Sequence, residues 1–181
     1  GAATACGGSP IIFVNMTSTF ATIDSPIGRI ELTSDGEAIT FLSIEGVEGS
    51  PHGRLQHGGR PGVPDKVIKQ AAKELGEYFA GKRKDFDVPV KLVGTPFQQA
   101  IWHELLAIPY GGHASYGDLA ARAGNPKAAR AVGGAVGANP VPIIVPCHRI
   151  LAGNSKLTGY SGGSGVSTKI QLLDIEGITY R

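Results

Sequence analysis

The 181-residue sequence predicts an α+β fold, with antiparallel strands and one helix first and a largely helical second half after them. Three observations carry this. The first half opens on short apolar runs separated by turn signals, as antiparallel strands require. A stretch with helical apolar spacing follows Pro64. In the second half, two capped helical segments meet at Gly124-Asn125, which is a helix-turn-helix signature.

Phe20 to Ser25 and Arg29 to Ser34 have strand character and are joined at Ser25-Pro26-Ile27-Gly28. Ala38 to Ile44 follows the turn signal Asp35-Gly36 and completes a meander. Val47 to Gly62, rich in glycine, reads as a loop. Pro64 fits the first turn of a helix. Val67, Ile68, Ala71, Ala72, Leu75, Tyr78 and Phe79 give that helix an apolar face, and Gly81 ends it. Phe86 to Val90 reads as a further short strand. Thr95 caps a helix with Pro96 at its first position. Phe97, Ala100, Ile101, Leu105 and Ile108 form its expected buried stripe, and Pro109-Tyr110-Gly111-Gly112 breaks it. Ser115 caps a helix to about Ala123, Pro126 opens another to about Ala138, and Val166 to Glu176 is the last. The expected organisation is a flexible leader at 1–16, an α/β scaffold domain at 17–90 and a second domain at 91–181.

A chain of this length can bury one substantial core or two small ones. Residues 1–90 carry nine Lys/Arg against eleven Asp/Glu, and residues 91–181 carry eight against four, so any affinity for nucleic acid falls in the second half. An excess of this size is equally compatible with an ordinary solvated surface. No apolar run approaches the roughly 20 residues that span a bilayer, and the start lacks the basic region of a signal peptide. Two cysteines, Cys6 and Cys147, do not make a disulfide framework and point to a reducing compartment.

The apolar run Val141 to Val145 reads as a buried strand that Pro146 must end. Cys147, His148 and Arg149 follow directly. A thiolate is a nucleophile, and a neighbouring imidazole or guanidinium favours it; a buried structural cysteine is the plain alternative. The helix before it reads AARAVGGAVGA from Ala128. Glycines inside a helix cost about 1 kcal/mol each relative to alanine, so this helix needs a thin face, against either another helix or nucleic acid.

The segments TPFQQAIWHELLAIPYG (from Thr95) and SYGDLAARAGNPKAARAVGGAVGANPVPIIVPCHRI (from Ser115) closely resemble the O6-alkylguanine-DNA alkyltransferases. The likeness runs nearly unbroken from Thr95 to Gly177 and is loose over residues 1–90. It implies a small ribonuclease H-like domain followed by a winged helix-turn-helix-type domain. It also implies DNA repair by irreversible, single-turnover transfer of an alkyl group from O6-alkylguanine to the protein's own cysteine, with O4-alkylthymine as a second candidate substrate. The implied partner is double-stranded DNA, bound through the minor groove with the damaged base flipped out.

The resemblance assigns roles to individual residues. Cys147 is the acceptor, His148 the base acting through a water, and Glu176 the carboxylate that orients the histidine, although the interval before Glu176 is about two residues longer here. Asn139 holds the turn before the cysteine. Arg130 fills the gap left by the flipped base, on a helix whose Ala129 and Gly133 lie against DNA. Tyr116 serves the base and the neighbouring phosphate. Tyr160 and Ser161 wall the pocket, with Thr158 and Val145 also placed there. No cofactor is implied. A metal site is not expected, because Cys6, His52 and His57 are fewer than the four ligands of a structural zinc. The expected state is a monomer in the cytoplasm, or in the nucleus of a eukaryote.

Three other readings fit the residues less well. A non-catalytic lesion sensor is disfavoured by the presence of Cys147 and of the N-terminal ninety residues. A cysteine hydrolase is disfavoured because its histidine comes from a distant segment. A transcription factor is disfavoured because the glycine-rich helix offers few side chains for base contacts.

Overall fold

The computed structural model describes residues 18–46 and 53–181. The expected leader, Cys6 and His52 lie outside the described residues. The first half forms the antiparallel sheet β1 (Thr19–Ile23), β2 (Ile30–Ser34) and β3 (Ile39–Ile44) in sequence order. Leu32 pairs with Ala21 on one side and Leu42 on the other. Helix α1 (Lys66–Phe79) lies against all three strands and buries Val67, Ile68, Ala71, Leu75 and Tyr78. Asp65 caps α1 by accepting from the Ile68 amide, so Pro64 stands just outside the helix, not in its first turn. Gly81 follows the helix at φ 73°, a left-handed backbone that ends it without strain.

The strand expected at Phe86–Val90 is reduced to one bridge between Val90 and Ile39. The buried carboxylate of Glu74 accepts from the Asp87 and Val88 amides at 2.7 and 3.0 Å, taking up the donors a neighbouring strand would use.

The second half is α2 (Pro96–Leu106), α3 (Tyr116–Arg122), α4 (Ala129–Gly137) and α5 (Val166–Glu176). A two-residue parallel pair, β4 (Ala114–Ser115) with β5 (Ile150–Leu151), joins the start of α3 to the segment after Cys147. Helix α2 has a complete capping box between Thr95 and Gln98. Its buried stripe is Ile101, Trp102 and Leu105, continued by Ile108. Phe97 and Ala100, expected in it, are exposed. The stripe is rotated toward Trp102 because the indole N–H donates to the Ala135 carbonyl at 2.8 Å, docking α2 on α4. Helix α4 begins at Ala129, not at Pro126, and no side chain caps it.

Val141 to Val145 is a tight turn, not a strand. The Val145 amide donates back to the Val141 carbonyl at 2.9 Å, and Ile143 sits at φ 74°. A β-branched residue there costs about 1–2 kcal/mol, and burial of Ile143, Ile144 and Val145 offsets that cost. Cys147–Arg149 then form a single 3-10 turn.

The two halves share one apolar core running from β2 through α1 and α2 to Leu172. They also share polar links. The Leu42 amide donates to the Pro140 carbonyl at 2.9 Å, and the buried Tyr78 hydroxyl donates to Glu176 at 2.6 Å. Replacing Tyr78 by Phe keeps the packing and removes that bond to a buried charge. The expected loss is about 1.5–3 kcal/mol of unfolding free energy, read from urea titrations as a lower midpoint at unchanged slope.

Candidate active site

Three segments converge on a cavity of about 540 Å³ with Cys147 in its wall. Helices α3 and α4 contribute Tyr116, Gly133, Val136 and Gly137, and the loop before α5 contributes Gly159, Tyr160 and Ser161. A smaller cavity of about 190 Å³ meets it at Cys147, Tyr160 and Ser161 and reaches β3. Cys147 is 6% exposed, so a ligand must enter the cavity to touch it.

Glu176 organises the floor. It ends α5, and Gly177 follows at φ 70°, so the chain turns away and leaves the carboxylate pointing inward. One oxygen accepts from Tyr78 and pairs with His148 Nε2. The other accepts from Arg149 Nε at 2.7 Å and from the Gly111 amide at 3.2 Å. Four donors saturate a carboxylate. Burial opposes its ionisation, but the bonds from His148, Arg149 and Tyr78 outweigh that and hold the carboxyl down to about 2. Arg149 also donates to the Ile108 carbonyl at 2.7 Å.

His148 is fully buried, and burial lowers its pKa, with Glu176 opposing. The neutral ring therefore donates Nε2–H to Glu176 and presents a bare Nδ1, which has no hydrogen-bond partner among the described residues. The 3-10 turn, not strand alternation, directs His148 away from the thiol and down to Glu176. Burial raises the Cys147 pKa, while the Asn139 amide, the Lys169 charge and the Tyr160 hydroxyl pull the other way. The resting thiol is protonated, and Tyr160 lies beside it with its hydroxyl buried and, among the described residues, without a well-aligned partner. Asn139 clamps the turn, donating to the Val145 carbonyl at 2.8 Å and accepting from the Val141 amide at 3.0 Å.

Tyr116, Gly133, Cys147, Tyr160 and Ser161 line the cavity, and Asn139, His148 and Glu176 stand behind it. Ser161 donates to the Gly137 carbonyl, tying the loop to α4. Two expected pocket residues are placed differently. Val145 is fully buried and contributes its carbonyl, because the turn faces it into the core. Thr158 stands behind Tyr116, with its hydroxyl bonded to Tyr116 and Lys169. Ala129 and Arg130 are exposed on α4.

The thin face of α4 is open. A side-chain carbon added at Gly134 or Gly137 meets nothing within 4 Å, and one at Gly133 meets only the Tyr116 ring at 3.9 Å. Close helix packing therefore does not account for these glycines.

The sequence pattern gives no site role to Lys169 or Tyr78, and gives Arg149 only that of a neighbour favouring the thiolate. A signal existed for Lys169, which shares a helix face with Leu172, Leu173 and Glu176, so a charge was due to be buried. Among the described residues, no group of three or more His, Cys, Asp or Glu side chains could hold a metal ion. His57 is engaged with Glu31 at 2.6 Å. No helix among the described residues is long and apolar enough to cross a membrane.

Two family models match this chain. "6-O-methylguanine DNA methyltransferase, ribonuclease-like domain" covers residues 19–92, and the DNA binding domain of the same name covers residues 96–178. The constitutive methylated-DNA–protein-cysteine methyltransferase of Bacillus subtilis is 43% identical over 171 residues, 90% of this chain and 97% of the relative. The Haemophilus influenzae protein of that name is 46% identical, over 91% of this chain and 90% of its own. The solved Mycobacterium tuberculosis O6-methylguanine methyltransferase superposes with a TM-score of 0.74 at 44% identity, over 88% of this chain and 92% of its own. M. tuberculosis OGT in complex with DNA matches at the same TM-score and identity, over 87% and 91%. This chain belongs to the 6-O-methylguanine DNA methyltransferase family.

Proposed function

We propose that this chain repairs DNA by moving an alkyl group from O6 of guanine to the sulfur of Cys147, once per molecule. The observation that carries this reading is the placement of Cys147 in the cavity wall with the His148–Glu176 pair behind it. Bare Nδ1 of His148 takes the thiol proton through a water. The thiolate attacks the alkyl carbon, the S–C bond forms as C–O6 breaks, and the electron pair leaves with guanine. Glu176 stabilises the imidazolium that results. Nothing in the site hydrolyses a thioether, so turnover ends there, and the chemistry calls for no cofactor.

O6 is inaccessible inside a duplex, so the base is turned out into the cavity. The open glycine face of α4 supports close approach to a minor groove, and exposed Arg130 on the same helix fills the vacated stack. Tyr160 and Ser161 wall the base, and Tyr116 donates to it. On this reading residues 17–90 are the scaffold and 91–181 the DNA-binding and transfer domain. The protein works as a monomer in a reducing compartment such as the cytoplasm.

Three outcomes test this. Intact-mass spectrometry after mixing with a duplex carrying one O6-methylguanine should show one added CH2 per chain, mapped to Cys147 and absent from Cys147→Ala; an unchanged mass with tight lesion binding would instead mark a sensor. Burial depresses the His148 pKa below 6.5, so its base form persists at and above that pH. On the acid side, the single-turnover rate should therefore hold its plateau down to pH 6.5 and fall below it. Arg130→Ala should slow transfer from duplex DNA by about tenfold or more while leaving transfer from the free modified base unchanged, because only the duplex needs its stack filled.

A further inference from the structure

We propose that Arg54 selects O6-alkyl groups that end in a carboxylate, so that the N-terminal half reads the group being transferred. The proposal rests on the alkyl-transfer reading above and names a substrate class for it. The cavity of about 190 Å³ that adjoins Cys147 runs to the edge strand of the N-terminal sheet, with Phe41 and Ser43 of β3 and Arg54 in its lining. Pro142, Tyr160 and Gly162 complete its wall. Among the described residues that line it, Arg54 alone carries a formal charge, and the larger cavity adds no other. Arg54 is exposed, which puts it at the rim. Among the described residues no carboxylate forms an ion pair with it.

The chain holds Arg54 in place from both sides. The Gly53 carbonyl accepts from the Gly46 amide at 3.0 Å, and Gly53 sits at φ 82°. A side-chain carbon there would collide with the Gly46 backbone and the Gly163 carbonyl, so this segment is wedged between the exit of β3 and the loop ahead of α5. Three residues on, the His57 ring stacks on Phe20 with centroids 3.7 Å apart, and the His57 amide donates to the buried Glu31 carboxylate at 3.0 Å. An arginine between two such anchors stays at the seam where the two halves meet Cys147.

The chemistry of an acidic alkyl group asks for a cation at this place. Transfer brings a thiolate to the carbon bonded to O6. A carboxymethyl group carries a second negative charge on the atom next to that carbon, and repulsion between the two is costly where water is scarce. A guanidinium meets a carboxylate through two parallel N–H bonds and offsets the repulsion. A methyl group asks nothing of Arg54. The step balances. The thiol proton passes to His148, the S–C bond forms, and C–O6 breaks with its electron pair leaving on guanine. The carboxylate is carried over unchanged, which leaves S-carboxymethylcysteine at position 147, paired with Arg54.

Single-turnover rates on duplexes that differ only at O6 test this, with methyl, 2-hydroxyethyl and carboxymethyl groups compared. Hydroxyethyl is a neutral match for the length of carboxymethyl. The wild type, Arg54→Lys and Arg54→Gln would be used, with duplex affinity measured on the Cys147→Ala background. In Arg54→Gln the carboxymethyl-to-methyl rate ratio should fall by about tenfold or more, the loss of one charge-assisted bond, while the hydroxyethyl-to-methyl ratio holds. Arg54→Lys, which keeps the charge but not the fork, should fall between the two. A carboxymethyl ratio that Arg54→Gln leaves unchanged overturns the proposal. So does equal slowing on all three duplexes with weaker duplex binding, which would make Arg54 a phosphate contact. A hydroxyethyl ratio that falls as far as the carboxymethyl ratio overturns it too, because Arg54 would then read length and not charge. A wild type that transfers methyl but no carboxymethyl overturns this proposal alone. One that transfers no methyl overturns the alkyl-transfer reading as well.

Discussion

Everything around Cys147 depends on one buried carboxylate. Glu176 sits where three otherwise separate pieces meet: α1 through Tyr78, the turn after Pro146 through His148 and Arg149, and the loop after α2 through Gly111. A buried charge is costly unless each of its lone pairs is met. Here four donors meet them, and satisfying the charge fixes the relative positions of all three pieces. The same bonds determine the protonation of His148. Its Nε2–H is committed to Glu176, which leaves Nδ1 as the nitrogen free to accept. Packing and site geometry therefore rest on one group, so weakening the centre loosens the join between the halves as well as the hold on His148.

The cavity wall shows complementary restraint. Cys147 is buried and stays a thiol at rest, which protects a group that reacts once. The glycines of α4 face no protein backbone, and Tyr160 and Ser161 close the other side. A thin, open helix beside a sheltered nucleophile suits a flat base delivered from a broad polymer better than it suits a small diffusing substrate.

Local signals made much of this legible. The caps at Thr95 and Ser115 each use a side-chain oxygen and a partner three residues on, so both helix starts were readable. Pro146-Cys147-His148-Arg149 stands out in the sequence because a thiol and an imidazole follow a rigid stop. Glu176 was legible as the close of a helix, because Gly177 follows the last apolar positions of α5. The turn Val141–Val145 was not legible. An apolar run reads alike as a strand or a buried turn, and nothing local announces a left-handed isoleucine. Trp102 replaced Phe97 in the buried stripe because its partner, the Ala135 carbonyl, lies 33 residues away. The hydrogen bonds that join Tyr116, Thr158 and Lys169 were hidden for the same reason, since the three come from separate segments.

The central claim is that burial keeps His148 neutral while Glu176 fixes it in a single tautomer. Nitrogen-15 NMR of the ring tests it without any substrate. The account predicts a neutral imidazole at neutral pH, protonated at Nε2 and bare at Nδ1, with Glu176→Gln disturbing that signature. An imidazolium at neutral pH, or a proton resident on Nδ1, would contradict it.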